Sequence, residues 1–386
     1  MITLNTVSDR PAASAPAAPG ALGMTAEEFA EAAVRVGAKG GRVGALERYR
    51  AVFERGDVQD PSGAPAAVAG IQRTLTSECA EGTTIKFTQL VRGRAEGDPP
   101  LETESVLIPM VGRKGRLTYT LCVSSQVGCA MGCTFCQTAQ MGLIRSLEPA
   151  EIVQQWFAAT HLLGRKVSNL VFMGMGEPMD NLDAVMKAIE VLTDHRGIAL
   201  PMSKIVVSTV GRVDGIRRLG ARVREHGWRR LNLAISLNAP NDEVRRGIMP
   251  INRAMPMGEL RRALEEWPLY GGAKICFEYV LIPGVNDRRE HAREVVDFVL
   301  GRGAYEGRPP LKGMVNLIPY NPREGSPWPA PEEADVDLFL SWLLEGSERG
   351  EGVYAKRRRT KGRETMAACG QLGNPALRRR RTPREG

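Results

Sequence analysis

Three cysteines fall within eight residues, Cys129, Cys133 and Cys136 in the run Gly128-Cys-Ala-Met-Gly-Cys-Thr-Phe-Cys, and nothing else in the chain constrains it as much. Three thiolates this close in sequence point to one shared metal centre. A structural zinc takes four ligands, yet the next cysteine downstream is Cys276 and the nearest downstream histidine is His161. The set is one donor short. An iron-sulfur cube held by three thiolates keeps one iron open to chelate a small molecule, so the spacing reads as a [4Fe-4S] site with structural zinc as the rival.

The rest of the composition narrows the class of protein. At 386 residues and 43% hydrophobic, the chain can hold one large domain with a smaller one attached. No apolar run approaches the ~18 residues of a membrane span, and residues 1–23 are Ala/Pro-rich without the apolar stretch of a signal peptide. They read as a disordered leader, and the expected location is cytoplasmic. Seven cysteines, three of them clustered, argue against a disulfide scaffold and for a reducing compartment. The formal charge of +8 is concentrated late, in Lys356, Arg357, Arg358, Arg359, Lys361 and Arg363 and again in Arg378–Arg381 with Arg384. Such blocks commonly bind a polyanion.

Periodicity divides the chain. Thr25-Ala-Glu-Glu28 has the form of a capping box before an amphipathic stretch, and a second helix is expected over Gly44–Arg55. Residues 24–75 are therefore expected to form a small N-terminal helical domain. Alternating apolar residues from Thr83 predict a β-ribbon, assigned to residues 76–117. Beyond it, strands near Asn169–Met173, Ile205–Thr209, Leu231–Leu237, Ile275–Leu281 and Met314–Ile318 alternate with helical patterns. With the strand ending at Cys122 this makes about six units, fewer than the eight of a closed barrel. The expected fold class is α/β, a partial (β/α)6 barrel over residues 118–375 followed by a basic tail at 376–386. Polar motifs fall at the carboxyl ends of these strands, where such folds bind ligands. Gly174-Met-Gly-Glu-Pro178 lets backbone approach a ligand closely, and Glu177 can accept a hydrogen bond from an ammonium. Cys79 and Cys276 match no motif and read as small core residues.

CxxxCxxC is the spacing of the radical S-adenosylmethionine (SAM) superfamily. Within it, Cys122-Val-Ser-Ser-Gln-Val-Gly-Cys129, Met173-Gly-Met-Gly-Glu-Pro178, Ala234-Ile-Ser-Leu-Asn-Ala-Pro-Asn-Asp242, Val285-Asn-Asp287, Asn316-Leu-Ile-Pro319 and Ala367-Ala-Cys-Gly-Gln-Leu372 resemble the RlmN adenine-C2 RNA methyltransferases. The resemblance runs from about residue 25 to about 375, loosely over the helical start. Related C8 methyltransferases carry Glu-Ala where this chain has Glu177-Pro178, so Pro178 favours C2.

The resemblance implies a methyltransferase acting on adenine in 23S ribosomal RNA and also in tRNA, with Cys129, Cys133 and Cys136 holding the cluster and two SAM molecules consumed per turnover. Cys369 is implied to take a methyl from the first SAM as a thiolate. A radical generated from the second then removes hydrogen from that methyl, which adds to C2. Glu104, in Glu104-Ser-Val-Leu-Ile-Pro109, is implied to accept the C2 proton, and Cys122 to release the RNA by forming a transient disulfide with Cys369. The implied SAM contacts are Gly176, Glu177, Ser208, Ser236, Leu237, Asn238 and Asn316. The expected partners are RNA and an external electron donor, with no membrane, and the chain is expected to be a monomer. Other readings are C8 methylation, another radical SAM reaction, and a noncatalytic zinc-bearing RNA-binding protein.

Two departures from the family pattern stand out. Asn238 replaces the usual His and cannot titrate. The Met110–Thr120 connection is longer than usual, which could shift Glu104 relative to Cys122 unless the extra residues extend a hairpin. The basic block at 356–363 is expected to touch RNA phosphates.

Overall fold

The capping box forms. Thr25 N donates to Glu28 Oε2 at 2.8 Å and Glu28 N donates to Thr25 Oγ1 at 3.4 Å, opening helix α1 (Ala26–Arg35). In this computed structural model, which describes residues 3–6, 20–112, 115–345, 352–358, 361–362 and 364–373, α2 (Gly41–Arg55) follows, starting three residues before its expected Gly44. The two helices do not keep to themselves. Phe29 packs at a tilt against Tyr49, Tyr49 edge-on against Phe53 and Phe53 at a tilt against Trp156, with centroids 5.6, 4.9 and 6.3 Å apart, so their apolar faces continue the main hydrophobic core. Ala26 N also donates to Asp194 Oδ2 at 2.7 Å.

Next comes an antiparallel ribbon of β1 (Thr3–Thr6), β2 (Ile71–Cys79), β3 (Gly82–Val91), β4 (Leu101–Val111) and β5 (Leu117–Cys122). The long connection before Cys122 extends the β4–β5 hairpin. Val111 pairs with Leu117, Gly112 N donates to Arg116 O at 3.1 Å, and Val106 remains opposite Cys122. The added length therefore leaves the register at the cysteine intact.

β5 then becomes the first strand of a parallel sheet. After the small pair β6 (Gln126–Gly128) and β7 (Leu143–Ser146), which brackets helix α3 (Gln137–Gln140), it is joined by β8 (Val167–Phe172), β9 (Ile205–Thr209), β10 (Asn232–Ser236), β11 (Ile275–Leu281) and β12 (Gly313–Pro319). Helices α4 (Pro149–Phe157), α5 (Leu182–Thr193), α6 (Val213–Val223), α7 (Asp242–Ile248), α8 (Met257–Glu265), α9 (Arg289–Leu300) and α10 (Glu333–Leu344) fall between successive strands or after the last. This is the partial radical SAM barrel of six expected strands. Several strands were not foreseen: β1 (Thr3–Thr6) pairs with β2 inside the 1–23 segment expected to be a disordered leader, where Ala21 and Leu22 are also buried; β6 and β7 form their own small pair; and β13 (Ala355–Arg357) extends the sheet beside β12 inside the basic block. Among the described residues no helix is long and apolar enough to cross a membrane.

Buried polar groups lock the first strand end in place. Gln155 Oε1 accepts from Ser124 N at 2.8 Å and Ser105 Oγ at 2.7 Å, while its Nε2 donates to Ser124 O at 2.9 Å. Ser124 Oγ donates to Glu104 O at 2.6 Å and accepts from Met175 N at 2.9 Å. Gly128, in the left-handed region at φ 76°, lies where a Cβ would sit 1.9 Å from Gly142 O.

Gln155→Leu strands three buried polar partners and should cost about 2–4 kcal/mol, read as a lower urea midpoint with an unchanged slope. Gly128→Ala should push Cys129 out of place, and anaerobically reconstituted protein should then hold severalfold less iron per chain than the parent.

Candidate active site

Cys129, Cys133 and Cys136 line one cavity at the carboxyl ends of the parallel strands, together with Gly176, Glu177, Ser208, Ser236 and Asn238. Their loop is held by backbone. Cys129 N donates to Gly142 O at 3.1 Å, Thr134 N to Ile248 O at 3.0 Å, and Gln140 Nε2 to Cys133 O and Cys136 O at 3.3 and 3.2 Å. All three are free thiols, and burial pushes those of Cys129 and Cys133 above the usual range. A cationic centre is what would hold them as thiolates. Three thiol sulfurs on the wall of one cavity match the three-thiolate set that holds a [4Fe-4S] cube with one iron open to a ligand.

The Gly174–Gly176 turn borders this cavity, and its glycines are also required by the protein's own chain: a Cβ at Gly174 would meet Val123 O at 2.6 Å, and one at Gly176 would meet Gln126 Cβ at 2.5 Å. The turn packs on the strand end, with Ser125 N and Gln126 N donating to Met175 O at 2.9 and 3.1 Å. Glu177 N in turn donates to Gln126 Oε1 at 2.9 Å, which gives the Gln of the Cys-Val-Ser-Ser-Gln signature a structural task. Glu177 is buried, and that burial pushes its carboxyl up to about 7 although Val210 N and Met179 N each donate to it at 3.0 Å.

Two expected contacts fall elsewhere. Leu237 is fully buried in the core, outside the residues lining the cluster-side cavity. Asn316, mid-strand in β12, faces a second cavity, while Asn321, beyond the strand end, borders the cysteines. Asn238 does lie at the cysteine cavity. It adopts φ 55°, which Asn tolerates, and its Oδ1 accepts from Val280 N at 3.0 Å. The sequence also missed Arg245, fully buried, whose Nε donates to Leu237 O at 3.2 Å and Nη1 to Asn252 Oδ1 at 3.0 Å, tying strand end to helix.

The second cavity, of about 630 Å³, runs down the barrel interior and is lined by Cys122, Cys369, Cys276, Glu278 and Arg358 among others. Cys369 borders both cavities. Burial raises its thiol and the Arg358 guanidinium opposes that rise. At Cys122 burial and then the charge of Cys369 both act upward. Cys276, expected in the core, instead opens on this space.

The segment bearing Cys369 is fastened to the cluster loop. Gln137 N, next to Cys136, donates to Gly370 O at 2.7 Å, and Gln371 Nε2 donates to Pro322 O at 3.0 Å. Glu104 is buried with its Oε2 2.8 Å from Lys86 Nζ and accepting from Gly373 N at 2.9 Å. It belongs to the lining of neither cavity.

Three cations of the basic block are paired within the protein, while Lys356 stays exposed. Arg357 pairs with Glu333 and Asp337, Lys361 with Glu81 at 3.4 Å and Pro109 O at 2.8 Å, and Arg358 turns toward Glu278 at 3.7 Å. Arg359, Arg363 and the arginines of 376–386 lie outside the described residues.

Residues 123–299 match the Radical SAM superfamily model. The probable dual-specificity RNA methyltransferase RlmN 1 of Protochlamydia amoebophila is 39% identical over 369 residues, covering 93% of this chain and 95% of that protein. The dual-specificity RNA methyltransferase RlmN of Syntrophotalea carbinolica is 40% identical over 307 residues, 80% of this chain and 74% of that one. The crystal structure of a radical SAM methyltransferase from Sphaerobacter thermophilus superposes with a TM-score of 0.73 at 33% identity, over 91% of this chain and 98% of the other. Identity sustained over nearly the whole length, on a barrel whose three cysteines share one cavity, shows that the chain belongs to the RlmN family of SAM-dependent radical SAM RNA methyltransferases.

Proposed function

We propose that this enzyme methylates C2 of adenine in RNA, in 23S ribosomal RNA and in tRNA, by carrying the methyl on Cys369 and consuming two SAM molecules per turnover. The observation that carries the reading is the position of Cys369 on the wall shared by two cavities, one bordered by the cluster cysteines and the other by Cys122. A carrier must meet its donor on one side and its resolving partner on the other. The RNA methyltransferase names of the relatives support RNA as the substrate class.

Cys129, Cys133 and Cys136 would hold the [4Fe-4S] cluster, which supplies the electron that cleaves SAM. The remaining tasks belong to side chains. C2 of adenine is electron-poor and so is the methyl of SAM, hence direct transfer lacks a nucleophile. Cys369 provides one: its sulfur takes the methyl, and Arg358 favours the thiolate that burial disfavours. Once that methyl has lost a hydrogen, its carbon bonds to C2 and the RNA is attached to the protein. Glu104 then takes the C2 proton on Oε1, the oxygen that Lys86 and Gly373 leave aside. The electron left over from radical addition would return to the cluster that supplied it; the Cys122 thiolate then attacks Cys369 Sγ, the Cys369 S–C bond breaks with its electron pair going to the departing carbon, and that carbon takes a proton to become the C2 methyl as the disulfide forms. Such a disulfide needs an external reductant and a reducing compartment. Gly176, Glu177, Ser208, Ser236, Asn238 and Asn321 would contact SAM, with the Glu177 carboxylate receiving its ammonium.

Cys122→Ala, incubated anaerobically with SAM, reductant and RNA, should accumulate RNA crosslinked through Cys369, and Cys369→Ala should form neither crosslink nor product. An intact cluster without crosslink refutes the covalent route, and mass spectrometry of the released nucleoside separates C2 from C8 methylation. Glu177→Gln should weaken SAM binding by about tenfold, the loss expected for a charge-assisted hydrogen bond, measured by equilibrium dialysis on cluster-loaded protein.

A further inference from the structure

Lys86 belongs to no sequence motif singled out above, yet it is one of the few buried lysines a fold tolerates, at 6% exposure. Register explains where it points. Lys86 pairs with Val106 and Val106 with Cys122, so the three occupy one rung across β3, β4 and β5. Directly opposed residues of antiparallel strands share a face, and with strands about 4.8 Å apart, Lys86 stands roughly 10 Å along the sheet from Cys122. From there Nζ reaches two groups from distant parts of the chain: Glu104 Oε2 at 2.8 Å and Met366 O at 3.1 Å. The first is the proposed base, and the second lies three residues before Cys369. Gly373 N, four residues after Cys369, closes the loop on the same Glu104 oxygen at 2.9 Å. The strap 366–373 is thus gripped on both sides of its cysteine by one ion pair.

We infer that Lys86 is a positioning residue for methyl transfer: it holds the Cys369 strap in place through Met366 O and fixes the Glu104 carboxylate through Oε2. The inference rests on the proposed role of Cys369 and specifies what fixes it in place. A single ammonium does both because it carries three donors, and two distant segments depend on it. The unpartnered hydroxyls of Thr84 and Thr88, which flank Lys86 on the same face, leave the amine as the polar anchor of this surface. Lys86 touches neither cluster nor SAM, so its loss should spare both.

Lys86→Met and Lys86→Gln, each in the full cluster-loaded chain, test this. The expected result is unchanged iron content, SAM affinity and RNA KM, with kcat reduced about tenfold or more and amides of residues 366–373 exchanging hydrogen about tenfold faster, as loss of a buried pair predicts. Lys86→Arg should restore most of kcat and of the exchange protection. Parent-like exchange in the strap, or parent-like kcat in either variant, overturns the inference. Should Lys86→Met fail to fold, Lys86→Gln, which keeps a donor for Met366 O, carries the same decision. If Cys369→Ala is active, the carrier reading itself falls; if it is inactive while both Lys86 variants behave as the parent, only the role of Lys86 falls.

Discussion

One backbone hydrogen bond organises the reaction centre: Gln137 N to Gly370 O at 2.7 Å. Its donor follows Cys136 and its acceptor follows Cys369, so the separation between Cys136 and the proposed carrier thiol is set by a handful of bonds rather than by the compliance of two loops. A single bond of this kind contributes about 1 kcal/mol. Its importance is geometric, because the two residues are joined only through most of the barrel. The carrier segment arrives after the last strands have formed, and ordering it costs loop-closure entropy that its own contacts must offset. Thr138 Oγ1 to Leu372 O, Gln371 Nε2 to Pro322 O and the Lys86–Glu104 grip supply them.

A second layer of polar contacts fixes the strand ends from which the ligand groups project. Ser124 binds the ribbon through Glu104 O and the glycine turn through Met175 N, Gln155 satisfies both sides of the Ser124 peptide, and Gln126 caps Glu177 N. Much of the Cys-Val-Ser-Ser-Gln signature is therefore scaffold. Its residues are specific because buried polar groups demand partners of one geometry.

This explains what could be read before the structure. The capping box and the six parallel strands were legible, since apolar runs bounded by polar clusters have few other ways to fold. The three cysteines were legible as a shared site because their spacing is local. What failed depended on partners far along the chain. Arg357, Arg358 and Lys361 looked available until Glu333, Asp337, Glu278 and Glu81 were found beside them, and Ala355-Lys356-Arg357, two of its three residues charged, gave no hint of β13. Asn316 and Asn321 differ only in their distance from the end of β12, which spacing does not reveal. The glycines at 174 and 176 signal a close approach, but sequence does not say to what.

Burial sets the final constraint. A centre that handles a reactive carbon must exclude water, yet a dry cavity disfavours every anion in it. The fold answers with a cation for most of them: Arg358 beside Cys369, Lys86 at Glu104, and Arg245 whose charge reaches Cys133. Glu177 is the exception. Among the described residues it forms no ion pair; the Val210 and Met179 amides and the Thr209 hydroxyl support it, and burial nevertheless pushes its carboxyl up to about 7, where it is poorly committed to charge. A carboxylate at the edge of a cluster cavity with oxygen lone pairs to spare gains most from a cation brought by the ligand. That supports the proposal that Glu177, rather than the already paired Glu104 or Glu278, receives the ammonium of SAM.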